Sequence, residues 1–172
     1  NQQPKDGYKR WFDITALLIV HLLFAPIWIV VWTAIPLAIW LCDRQSVFYT
    51  QIRVGKNGKN FRMIKFRTMV IDAERKTGPI WSSDQDRRVT VVGKLLRRFR
   101  LDEMPQVINI IRNEMSLVGP RPERPELVET FAANIPGFNE RLRVSPGFAG
   151  LAQIRGKYAT RPRDKLRYDN LY

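Results

Sequence analysis

From residue 14 to residue 42 the chain reads ITALLIVHLLFAPIWIVVWTAIPLAIWLC, without one formally charged side chain. Thr15, His21 and Thr33 are its polar interruptions, and Pro26 and Pro36 its prolines. A straight helix of this length would measure about 44 Å at about 1.5 Å per residue, against a hydrocarbon core of about 30 Å. The segment must tilt, break or turn. Pro26 lies near the middle, where it removes a backbone donor and crowds the preceding turn, so a kink is predicted there. Lys9 and Arg10 flank the segment on one side, and Asp43 and Arg44, followed soon by Arg53, Lys56 and Lys59, flank it on the other. Cationic flanks on both sides give a spanning helix no preferred orientation. They suit a re-entrant helix-break-helix that enters and leaves by one face. A single tilted transmembrane helix is the alternative, whereas the length and hydrophobicity do not suit the core helix of a soluble protein. The run is too long for a signal-peptide core and no small-residue cleavage site follows it. His21, the sole histidine, reads first as a neutral packing residue, with a functional role in the membrane as the alternative.

The 29 lysines and arginines and the 16 acidic residues all lie outside that run, for a net charge of +13. Such a surface seeks polyanions: nucleic acid, anionic lipid headgroups or phosphorylated substrates. No zinc-finger spacing, RNA-recognition signature or helix-turn-helix pattern is visible, so nucleic acid is set aside. Cys42 is the one cysteine, which rules out an intramolecular disulfide and gives no sign of an oxidising compartment. At 172 residues there is room for one modest domain.

Beyond the apolar run, Phe48 to Val54 and Phe61 to Phe66 read as strands joined through Lys56-Asn57-Gly58-Lys59, because Asn-Gly supplies the positive φ angles of a tight turn. Asp72 to Asp86 carries Gly78-Pro79 and Ser82-Ser83 and reads as a loop. Arg87 to Arg100 has six basic residues, no acidic one, and apolar residues at helical spacing, the pattern of a helix lying on an anionic membrane surface. A solvated basic face on an ordinary core helix is the plainer alternative. Leu101-Asp102-Glu103-Met104-Pro105 then carries the acids and proline of a helix start. Alone, this is good capping. Between the basic run and the stiff Gly119-Pro120-Arg121-Pro122-Glu123-Arg124-Pro125, it becomes a place to hold a phosphate and a divalent cation.

Here the chain resembles the bacterial sugar transferases, the monotopic phosphoglycosyl transferases that initiate glycan assembly on polyprenol phosphate. The likeness rests on Lys9-Arg10-x-x-Asp13, Gln51-x-Arg53-Val54-Gly55 with Asn57-Gly58, and Lys65-Phe66-Arg67-Thr68-Met69. It continues in Asp86-x-Arg88-Val89-Thr90-x-x-Gly93-x-x-Leu96-Arg97 and Leu101-Asp102-Glu103-x-Pro105-Gln106. Met115-Ser116-Leu117-Val118-Gly119-Pro120-Arg121-Pro122 and Pro146-Gly147-x-x-Gly150-x-Ala152-Gln153 complete it. Each motif is weak alone, but seven in this order are specific.

The resemblance implies an α+β, mostly helical monotopic membrane protein with a re-entrant helix over 14–42, amphipathic interfacial helices and a small β-hairpin. Residues 43–172 would form the cytosolic part of a single catalytic domain over 1–172. It implies that Asp102 attacks the sugar-bearing phosphorus of a UDP-sugar, releasing UMP, and that undecaprenyl phosphate then takes the sugar phosphate from the aspartate. Mg²⁺ would be held near Asp102 and Glu103, with Glu103 as metal support or general base. Arg97 and Arg121 would meet the phosphates, Lys9 and Arg10 the lipid headgroups, and Gln153 and Lys157 the substrate. Expected partners are the UDP-sugar, undecaprenyl phosphate and membrane lipids, with a second copy of the chain as a further one. The expected place is the cytoplasmic face of the bacterial inner membrane.

Three positions depart from the family pattern. Ala25-Pro26 replaces a common Ser-Pro, Leu151 a common Trp, and Gly156-Lys157 a common Gly-Arg. The stretch Gly156-Lys157-Tyr158 with Asp164-Lys165-Leu166 looks most like enzymes that start O-antigen or exopolysaccharide synthesis, and the expectation is a portion of a longer protein. Two other readings are a catalytically inactive membrane-anchored scaffold for glycan-assembly enzymes and a basic membrane-surface module of unrelated fold. Neither the sugar nor the oligomeric state is written in the sequence.

Overall fold

The computed structural model describes residues 7–73, 86–156 and 161–172, leaving out the side chain of Asp43. The predicted loop therefore lies outside the described residues except at its ends, and so does Lys157.

The apolar run is two helices. α1 (Gly7–Leu23) ends at Phe24, and α2 (Ala25–Asp43) begins directly after it. The predicted kink is present, but two residues before Pro26, which falls in the first turn of α2 where its missing N–H costs nothing. No side chain caps the break. His21 and Trp28 stack across it with ring centroids 4.0 Å apart. Seven residues of unbroken helix rise about 10.5 Å and lean both side chains toward the N-terminus, so rings this close mark a bent axis. Pro36 lies inside α2 without ending it. α1 starts earlier than the uncharged run, so Lys9, Arg10 and Asp13 ride on the helix and do not precede it. Ala25–Cys42 is long and apolar enough to cross a membrane, and little of it is buried.

The hairpin forms as predicted: β1 (Phe48–Val54) and β2 (Asn60–Phe66) pair in a two-stranded antiparallel sheet, with Asn57 and Gly58 at φ 55° and 75° in the turn. The basic helix is shorter than the 14 residues of its pattern. α3 (Val91–Arg98) starts at Thr90, whose Oγ1 accepts the Gly93 N–H at 2.9 Å, because Val89 is already taken by a bridge to Met69. It ends at Phe99 and Arg100, the latter in the left-handed region at φ 55°. Leu96 faces inward, while Val91, Leu95 and Phe99 are exposed beside Lys94 and Arg98.

Asp102 and Glu103 do not open the next helix. They occupy a separate 3-10 turn, Leu101–Glu103, and α4 (Gln106–Ile111) begins after Pro105. β3 (Ser116–Val118) pairs in parallel with β4 (Gly147–Ala149), joining Ser116 to Gly147 and Val118 to Ala149. Between them run α5 (Pro125–Asn134) and a 3-10 segment, Phe138–Arg143. The short α6 (Leu151–Arg155) and α7 (Pro162–Asp169) complete the described elements.

The chain divides into two compact units, one of residues 1–20, 50–63 and 106–172, the other of 21–49 and 64–105. The first has two apolar clusters, one around Val54, Val128, Phe138 and Leu166, the other around Phe61, Met63, Ile110 and Met115. The second packs Val31 and Ile39 of α2 against Phe66 and Leu96.

Candidate active site

In the second unit the end of β2 and the backbone after it lie against α3. Thr68 carries the contact: its carbonyl accepts the Thr90 N–H at 3.0 Å, and its Oγ1 accepts Arg97 Nε at 2.9 Å. Gly93 presses on the same backbone so closely that a Cβ there would stand 2.1 Å from the Thr68 oxygen. The glycine and threonine of two separate motifs thus answer one packing demand, and Arg97 is held by it.

The chain leaves α3 through the left-handed Arg100 and enters the Asp102-Glu103 turn. Glu103 is buried, with Oε1 2.8 Å from Lys65 Nζ. Asp102 is half-buried, and its carboxyl is raised above the ordinary aspartate value. Burial is the main cause, Lys65 opposes it, Glu103 adds to it and Arg97 opposes it. A carboxylate that burial makes more basic, between a lysine and an arginine, suits attack on an electrophile carrying negative charge. Asp102, Glu103 and Arg97 of the expected site therefore come together.

Lys65 stands in the Lys65-Phe66-Arg67-Thr68-Met69 motif, which by itself assigns it no role. The signal lay in the strand register: Phe61 and Met63 are buried on alternate positions of β2, and a lysine stands at the next inward one.

The remaining expected site residues belong to the first unit. Arg10 donates to the carbonyls of Ile110 and, at 2.6 Å, of Ile111, the last residues of α4. Lys9 Nζ donates to the Val118 carbonyl at 2.8 Å and meets the Tyr172 hydroxyl. Buried Asp13 accepts the Leu117 N–H at 3.2 Å. Gln153 Nε2 donates to the Phe148 carbonyl at 3.2 Å, and the backbone of Arg121 accepts Arg141 Nη2 at 2.7 Å.

Among the described residues no group of three or more His, Cys, Asp or Glu side chains stands ready to hold a metal. Residues 4–172 match the family model described as bacterial sugar transferase. The chain belongs to that family. Lys65, Thr68, Gly93, Arg97, Asp102 and Glu103 come together here from three separate stretches of the chain.

Among its relatives, the Aeromonas hydrophila UDP-N-acetylgalactosamine-undecaprenyl-phosphate N-acetylgalactosaminephosphotransferase is 40% identical over 95% of this chain and 38% of its own length. The exopolysaccharide production protein ExoY of Rhizobium meliloti is 39% identical over 89% of this chain and 73% of its own. A UDP-glucose:undecaprenyl-phosphate glucose-1-phosphate transferase of Caulobacter vibrioides is 39% identical over 88% and 55%. The chain thus spans between about a third and three quarters of these curated relatives.

Proposed function

We propose that this sugar transferase moves a sugar 1-phosphate from a UDP-sugar to undecaprenyl phosphate, at the cytoplasmic face of the bacterial inner membrane. The cluster of Asp102, Glu103, Lys65 and Arg97 carries this reading. Asp102 attacks the sugar-bearing phosphorus, an Asp102 O–P bond forms, and the bond to the UMP phosphate breaks with its electron pair leaving on UMP. An oxygen of undecaprenyl phosphate then attacks the same phosphorus, and the Asp102 carboxylate is regenerated. The products are UMP and undecaprenyl diphosphosugar.

Lys65 pairs with Glu103 and holds it beside the nucleophile, and Arg97 and Arg121 make paired hydrogen bonds to phosphate oxygens. Lys9 and Arg10 join the first turns of α1 to the headgroup layer and to the protein, and Gln153 and Lys157 contact the donor. The carboxylates of Asp102 and Glu103 are the hard oxygen donors Mg²⁺ takes, and two of them are what it uses when substrate phosphates and water complete its shell. Bound with the nucleotide, the ion would offset charge building on the phosphates.

The relatives named for N-acetylgalactosamine and for glucose set the panel to test. UMP release should appear with one of these UDP-sugars and undecaprenyl phosphate in detergent, and omitting the lipid should leave one sugar phosphate trapped on the protein. Absence of UMP with every donor would overturn the reading in favour of a non-catalytic scaffold. A label that maps to Glu103 would exchange the two acids.

A further inference from the structure

The loop from Pro120 to Glu123 has prolines at 120 and 122, so it can build no hydrogen-bond ladder of its own. All four of its carbonyls are nonetheless taken, each by a donor from elsewhere. Gly147 N–H reaches Pro120 at 2.9 Å, Arg141 Nη2 reaches Arg121 at 2.7 Å, Arg53 Nη1 reaches Pro122 at 3.1 Å, and Val54 N–H reaches Glu123 at 3.0 Å. Two of the four donors are arginine side chains, which in a chain of net charge +13 would first be assigned to anions.

Arg141 is nearly sealed from solvent, and its Nη2 also lies 2.9 Å from Asp169 Oδ2 at the end of α7. A buried ion pair is weak evidence for stability, since desolvating both charges cancels most of their attraction. Burial accordingly pushes the Asp169 carboxyl up, with Arg141 opposing. The pair has a more specific consequence: it points a rigid guanidinium at the main chain of Arg121. Glu123 is fixed from its own side, 3.8 Å from Arg53 and 3.9 Å from Lys165.

We propose that Arg141, braced by Asp169, and Arg53 are positioning residues that hold the main chain of the Pro120–Glu123 loop and so pre-set the guanidinium of Arg121 for the donor phosphate. The inference rests on Arg121 meeting that phosphate. A loop whose main chain is fixed in advance has less freedom to lose when the anion arrives at Arg121, so loosening that backbone weakens donor binding more than the chemical step.

The test is a mutant cycle on the full chain in detergent, with KM for the UDP-sugar, kcat and Tm read together. Arg141→Met with Asp169→Leu removes the ion pair as a unit and avoids an orphaned buried charge. It should raise KM about tenfold, the loss of one charge-assisted hydrogen bond, with kcat less affected. Arg141→Lys, which keeps the charge but not the fork, should sit between it and the parent. In an Arg121→Ala background the same pair of changes should cost nothing further, because the residue they act through is gone. If the Met/Leu protein is recovered poorly, Arg53→Met carries the same cycle. A KM unchanged in the folded variants, losses that add to those of Arg121→Ala, or a KM that recovers on cooling in step with Tm would each overturn the proposal. Arg121→Ala without effect on KM would instead overturn the phosphate role of Arg121, and this inference with it.

Discussion

Asp102 is stabilised by its neighbours less than burial destabilises it, and this is a property a nucleophile can use. Its raised carboxyl means that the folded chain holds this proton more tightly than the unfolded chain does. Between the ordinary aspartate value and the raised one, folding takes up a proton, so stability falls as pH rises through that window. Above the raised value the cost of the buried charge stands in full. Asp102→Asn removes it, and should hold or raise Tm while lowering turnover by about three orders of magnitude or more. A variant with lower Tm and near-parental turnover would contradict both halves. The parent enzyme should lose activity on acidification with a midpoint above the ordinary carboxylate range. A pH profile flat down to that range would exclude Asp102 as the group that must be ionised.

Elements meet here through single atoms. α3 touches the backbone after β2 where Gly93 has no Cβ, and a methyl group added there would need the Thr68 carbonyl to move. Gly93→Ala should therefore cost about 1–3 kcal/mol, the usual range for overpacking, visible as a lower Tm. It should also lower activity by disturbing the Arg97 to Thr68 hydrogen bond. Gly7→Ala, with open space around its would-be Cβ, is the control and should change neither. Equal Tm values for the two variants would remove the packing account of α3. The same element shows where periodicity misleads. Six basic residues and helical spacing extend over 87–100, yet the backbone at Val89 is spent on a bridge to Met69 and the helix begins only at Val91.

At the scale of the whole molecule the open matter is how the chain meets the membrane. Phe24 breaks the apolar run, and Leu22, Ile27 and Ile29 around it are exposed. A re-entrant segment returns both ends to the cytoplasm, whereas a spanning one separates them. Arg10 is engaged with α4, so the exposed Tyr8 and Gln45 are better reporters. In a Cys42→Ser background, Tyr8→Cys and Gln45→Cys should both resist a membrane-impermeant thiol reagent in intact spheroplasts and both react after lysis. Reaction of one alone before lysis would establish a spanning helix. Pro26→Leu restores a backbone donor and should shift some molecules toward that pattern, with activity falling in proportion.

The sequence alone determined what short-range physics controls. An uncharged run too long for one straight span, the proline near its middle, the Asn57-Gly58 turn and the prolines of residues 120–125 each act within a few residues, so periodicity and turn chemistry expose them. Asp102 and Glu103 were legible as candidates because they stand between two cationic stretches. Only the tertiary structure decided which distant groups complete the site. Lys65 reaches Glu103 from 38 positions away, and Arg97 reaches Thr68 from 29. β3 and β4, three residues each, are too short to carry a period and form only because they find each other. Arg53 and Arg141 look in sequence like two more cations among 29, and become main-chain donors through the fold alone. Contacts of that kind depend on summed packing along the whole chain, which no local window contains.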